Sequence, residues 1–216
     1  MDLSPKAMIK AIIFDLDMCI LDTHSLTGQF FQPVLDALRN SGLPSEIKEK
    51  VEHQLWTTSL EDTIDMFSVP EDAAEKMRGA YRQIEVPDGI KSFGDEDHIK
   101  NLTAKKILVT TGYRKFQETK IAKLGIAPLF DEIIIDALDH RDQRKGKKKI
   151  FEELLDKNSW NKNEVFVVGD NPKSELGAAK SLGIPAIQTL RPTVVRWDEA
   201  DYHISSLQEL EKLVNQ

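Results

Sequence analysis

The sequence predicts an α/β protein built on a Rossmann-like parallel sheet flanked by helices, with a small all-helical segment inserted near its start. Three observations lead there. Short β-branched apolar runs recur through the second half of the chain, near 106–111, 132–136, 164–168 and 186–190, and helix-length stretches separate them. Such alternation marks βαβ units and a parallel sheet. A run of the same kind, Ala7 to Leu16, stands alone near the amino terminus, and from Phe30 to about Arg82 the apolar spacing is helical.

Taken in order, Ala7 to Leu16 is a buried strand that delivers Asp15 and Asp17 at its carboxyl end. FFQPVLDALRNSG then has helical spacing with a stop at Gly42, Pro44-Ser45 opens a second helical stretch through Leu55-Trp56, and Val69-Pro70-Glu71 starts another. Pro87-Asp88-Gly89 is turn chemistry. One more helical stretch precedes a strand at Lys106 to Thr111, and a helix from about Lys115 stops at Gly125. Strand, helix, strand and helix follow at Glu132 to Asp136, Lys148 to Lys157, Glu164 to Val168 and Ser174 to Leu182. A short strand at Ala186 to Leu190, an edge strand near Asp201 to Ser205 and a closing helix at Leu207 to Val214 complete the chain. The expected division is a core domain of residues 1–22 and 88–216 with a helical domain of residues 23–87.

Composition narrows the function. At 216 residues, 40% hydrophobic and 30% charged, the chain is long enough for one domain with a smaller insert and too apolar for wholesale disorder. A formal net charge of −7 argues against general nucleic-acid binding, which needs clustered positive surface. No apolar run reaches the roughly 20 residues of a membrane span, and the first residues do not read as a secretory signal, so the expected location is cytoplasmic. The single cysteine, Cys19, excludes an internal disulfide and a multi-cysteine zinc motif. No feature of the sequence sets an oligomeric state.

The chemistry-bearing residues fall at strand ends. Asp15-Leu16-Asp17 places two carboxylates two apart where the first strand finishes. The second strand ends in Thr110-Thr111-Gly112, a hydroxyl followed by backbone N–H groups open to an anion. Lys145 and Lys147 follow the third strand, and the fourth ends in Gly169-Asp170-Asn171-Pro172, with Glu175 further on. Acids at the ends of two strands suggest a cation between them.

This ordered set resembles the haloacid dehalogenase-like superfamily, as does the closing Ala200-Asp201-Tyr202 and Ile204-Ser205-Ser206-Leu207. The resemblance implies a magnesium-dependent phosphatase acting on a small phosphorylated metabolite. Asp15 would be the nucleophile that forms an aspartyl-phosphate, and Asp17 the general acid/base, with its backbone carbonyl on the metal. Thr110, Thr111 and Gly112 would hold phosphoryl oxygens, Asp170 would ligate Mg2+, and Glu175 would support it. One lysine would face the phosphoryl group. The family's Lys-Pro-x-Pro pattern aligns Lys145, which is favoured here, and a Gly-Lys pattern of some relatives aligns Lys147. Three positions depart from the family pattern: Met18 where Gly or Asn is common, Cys19 where Thr or Val is usual, and Glu175 in place of a second Asp. The helical insert corresponds to a cap over the site, and its His24, His53, Trp56 and Tyr81 are read as packing or surface residues. A sugar phosphomutase and a non-catalytic binding protein remain as alternatives.

Overall fold

The computed structural model describes residues 8–26, 28–55 and 58–214. Ala7, at the expected start of the first strand, and Trp56 lie outside the described residues. The core is a six-stranded parallel sheet in the order β5-β4-β1-β6-β7-β8. Its strands are β1 (Ala11–Phe14), β4 (Lys105–Gly112), β5 (Glu132–Ala137), β6 (Val165–Gly169), β7 (Ala186–Thr189) and β8 (Tyr202–Ile204). Between β1 and β4 lies a two-stranded antiparallel ribbon of β2 (Leu21–Asp22) and β3 (Lys91–Ser92).

β1 sits at the centre between β4 and β6, and all four of its residues are buried. Burial on both faces explains why it reads as an unbroken apolar run rather than an alternating one. One face packs on a cluster containing Phe14, Leu108 and Phe166, and the other on Ile13, Val167 and Phe151. Core helices α5 (Arg114–Leu124), α6 (Lys147–Asn158), α7 (Glu175–Leu182) and α8 (Leu207–Val214) flank the sheet. Gly125 and Gly183 end α5 and α7 in the left-handed conformation that favours glycine. Because the strands are parallel, their carboxyl ends share one edge, where ligands bind in such sheets.

Among the described residues the insert is helical: α1 (Gln32–Arg39), α2 (Ser45–Gln54), α3 (Leu60–Met66) and α4 (Glu71–Arg82). Val34, Leu35 and Leu38 of α1 and Ala73, Ala74 and Met77 of α4 are buried, and the apolar cluster to which they belong runs into the core domain. Phe31 meets Tyr81, and Tyr81 meets Tyr113 at a ring separation of 4.4 Å. A buried polar contact reinforces this junction. Tyr113 donates to Glu61 Oε1 at 2.7 Å, and Glu61 pairs with Arg78 at 3.1 Å. The helical stretch expected before β4 is a 3-10 turn over Glu96–Asn101.

Candidate active site

The first acidic pair stands where β1 runs out. Asp15 is 7% exposed and its backbone N–H still donates to Val168 of β6, so strand pairing holds it in place. Three residues on, Met18 has φ +53°, and its N–H donates to Leu21 O and Thr23 Oγ1. This left-handed turn is where Gly or Asn would sit without strain, and a methionine there costs about 1 kcal/mol or more. Cys19 is fully buried behind the turn, as a small hydrophobe would be.

Lys147 is the cation at Asp15. Its Nζ lies 2.9 Å from Asp15 Oδ1 and 2.9 Å from Glu175 Oε2, with 6% of its side chain exposed. The favoured Lys145 is not in this cluster. Its ammonium pairs with Glu153 at 2.7 Å on the surface, and only its backbone N–H reaches inward, to Asp136 at 3.0 Å. Gly146, at φ +77°, turns the chain between the two lysines, so that Lys147 starts α6 and points back along the helix towards the strand ends.

Asp15, Asp170 and Glu175 offer oxygens within 4.8 Å of one another. Glu175 is 1% exposed and accepts from the Asn171 N–H at 2.7 Å. A Cβ on Gly169 would lie 2.3 Å from Glu175 Oε1, so only glycine leaves room for that carboxylate. Electrostatically the cluster is under-neutralised. Burial pushes Asp15 up to about 7, with the Glu175 charge adding to the rise and Lys147 opposing it. Burial, with the Glu175 and Asp15 charges, pushes Asp170 up to about 8. Burial also acts to raise Glu175, but Lys147 and the Asn171 N–H outweigh it and hold the carboxyl below its usual value. Three acids against one ammonium, all oxygen donors, fit a hard divalent cation.

Asp17 is outside that cluster and its carboxylate is fully engaged. Oδ1 takes the Lys120 ammonium at 2.8 Å and the Thr23 hydroxyl at 3.2 Å, and Oδ2 accepts from Gln117 at 3.1 Å. Burial raises Asp17, and the Lys120 charge and these hydrogen bonds overcome it to leave the group below the usual range. Gln117 Nε2 also donates to Thr110 Oγ1 at 2.6 Å, so Thr110 keeps its own proton for another acceptor. β4 continues through Thr111 and Gly112, paired with Asp136 and Ala137. A Cβ on Gly112 would press within 2.9 Å of Gln117.

Gln117 and Lys120 are absent from the expected set. Both are buried on α5 beside Phe116 and Ile121, one helical turn apart. Polar groups on the apolar face of an otherwise ordinary helix are the signal that marked them in the sequence.

A parallel sheet with carboxylates and a buried lysine gathered at its strand ends sets an acidic, metal-competent site at the edge where such folds bind ligands. The family model of the haloacid dehalogenase-like hydrolases matches residues 12–189, and the chain belongs to that family. It is 23% identical to the glyceraldehyde 3-phosphate phosphatase of Methanocaldococcus jannaschii, over 96% of this chain and 97% of that protein. Among solved structures, a phosphatase of the family from Thermococcus onnurineus matches with a TM-score of 0.62 and 24% identity, covering 95% of this chain and 98% of that one. A hydrolase of the family from Bacillus subtilis, bound to magnesium, matches with a TM-score of 0.64 and 18% identity, over 97% of this chain and all of that one.

Proposed function

We propose that this protein hydrolyses phosphomonoesters of small metabolites, with magnesium held by Asp15, Asp170, Glu175 and the Asp17 backbone carbonyl. The observation that carries this reading is Asp15 at the centre of the sheet edge, with Lys147 against it and two further acids around it. When bound, magnesium would supply positive charge that neutralises the phosphate beside Asp15. Asp15 attacks phosphorus, forming an aspartyl-phosphate as the ester bond breaks, and water then hydrolyses that intermediate. Lys147 and the Thr110 hydroxyl stabilise the phosphoryl oxygens, with Thr111 and Gly112 lining the strand end beside them. Lys120 and Gln117 hold Asp17 in place and ionised, so it takes a proton from solvent before passing it to the leaving oxygen, and takes another from the attacking water in the second step. The helices between β2 and β3 act as the cap, residues 23–87, that shields these steps from solvent. No described helix is long and apolar enough to cross a membrane.

The test is release of inorganic phosphate from an aryl phosphate, with magnesium and with a chelator. Turnover that survives chelation sinks the metal-dependent reading, and conversion of sugar phosphates without phosphate release points to a mutase instead.

A pH dependence follows from the same cluster. Asp15 and Asp170 keep their protons in the native state to about pH 7 and 8, whereas the unfolded chain releases them near 4. The native state then binds more protons over that window, so metal-free stability falls as pH rises through it. Magnesium takes the place of those protons. Its gain in Tm should therefore be larger at pH 8 than at pH 5, by about 5 °C when the ion exceeds its dissociation constant about 100-fold. An equal gain at both pH values in thermal melts would contradict the assignment of the cluster.

A further inference from the structure

A cavity of about 760 Å³ opens beside Asp170 and Asn171, and nothing in the chemistry above uses most of it. One wall comes from the start of the helical insert, with Leu26, Phe30 and Phe31, and the other from the loop after β7, with Val195, Arg196 and Trp197. The two walls meet where His24 Nε2 and Thr193 Oγ1 lie 2.9 Å apart.

That loop is built rather than slack. Gln188, fully buried on β7, donates from Nε2 to the backbone oxygens of Asp170 (3.1 Å) and Val195 (3.0 Å), and its Oε1 accepts from the Trp197 N–H at 2.7 Å. One side chain thus ties the apolar wall to the backbone of Asp170. Thr193 sits at φ +71°, a conformation a β-branched residue adopts only under constraint, and Val195 is 83% exposed. A strained threonine and a valine held out in water, both on the rim of one cavity, indicate a surface shaped for an apolar occupant.

We propose that this cavity receives the leaving group of the substrate, and that the leaving group carries a ring: an apolar, aromatic or similarly planar alcohol rather than a short polyol. The inference rests on the phosphatase reading, because the cavity's link to chemistry is its border with Asp170 and Asn171. A volume in the range that takes drug-sized ligands would leave a three-carbon polyol surrounded by water. Phenyl, indole and guanidinium groups offer flat faces on which a ring stacks.

The test compares two primary alkyl esters with similar leaving-group chemistry, 2-naphthylethyl phosphate and glycerol 1-phosphate, with magnesium present. The naphthyl ester is expected to show at least about 10-fold higher kcat/KM. Trp197→Ala, and Val195→Asp at an exposed position with little packing to lose, should each cut that preference about 10-fold, chiefly through KM. Equal or better hydrolysis of the glycerol ester, or variants that depress both esters alike, would overturn the proposal. If neither ester nor acetyl phosphate is hydrolysed, the phosphatase reading itself fails. Calorimetry with 2-naphthylethyl phosphonate then decides separately: binding that is lost in Val195→Asp upholds the ring site, and no binding to the wild type overturns it.

Discussion

Asp15→Asn is expected to reduce phosphate release by more than about 10⁴-fold, the scale seen when a covalent nucleophile is removed. The amide is nearly isosteric and cannot form the acyl phosphate. It also removes a negative charge from a buried cluster in which burial already holds Asp15 near pH 7, so folding should be retained. Thermal melting checks this directly: the metal-free variant should melt no lower than the wild type at pH 8, while magnesium stabilises it less. Trapping of a labelled phosphoenzyme in the wild type, absent in the variant, would complete the case. Residual turnover within about 100-fold of the wild type would remove Asp15 from the nucleophile's role.

Lys147→Met should combine loss of activity with loss of stability. The ammonium bridges Asp15 and Glu175, and its removal leaves buried carboxylates facing one another. Breaking a buried pair in this way costs about 3–5 kcal/mol. The sign with pH is distinct. Glu175 is held below its usual value by Lys147 against the opposing effect of burial, so its contribution to stability is present above the unfolded carboxyl range and is lost on acidification. Without the lysine that contribution disappears, and Asp15 is driven further towards its protonated form. The stability difference between wild type and variant, from denaturant titrations, should be larger at pH 8 than at pH 5. Lys145→Met, by contrast, severs only an exposed pair with Glu153 and should change stability by less than about 1 kcal/mol.

The sheet was legible because strands buried on both faces must be apolar throughout. β1, β4 and β6 therefore stand out in the sequence, and their carboxyl-terminal residues follow from chain direction. The β2–β3 ribbon was not legible, since strands of two residues have no period to detect. Which of the Lys145 and Lys147 ammonium groups lies at Asp15 depends on the backbone turn at Gly146, which composition does not carry. Gln117 and Lys120 reach Asp17 across about 100 residues of sequence, a pairing set by how α5 packs on the sheet. The order of the loop at 191–197 comes from contacts distant in sequence: Arg191 on Cys19 O and Asp95, and Gln188 on Asp170 O, Val195 O and the Trp197 N–H.

The ribbon at the base of the insert also bears on how such a protein can change. Leu21 is paired with Ser92, and Asp22 with Lys91, so the chain leaves the sheet domain and returns to it at adjacent points. For the register of the strands alone, roughly seventy intervening residues count as one tight loop. A different helical segment spliced between those paired ends would keep the strand order that spaces Asp15, Lys147 and Asp170, provided it retained Thr23, which holds Asp17 and the Met18 turn, and matched the apolar surface around Tyr113 and Phe116.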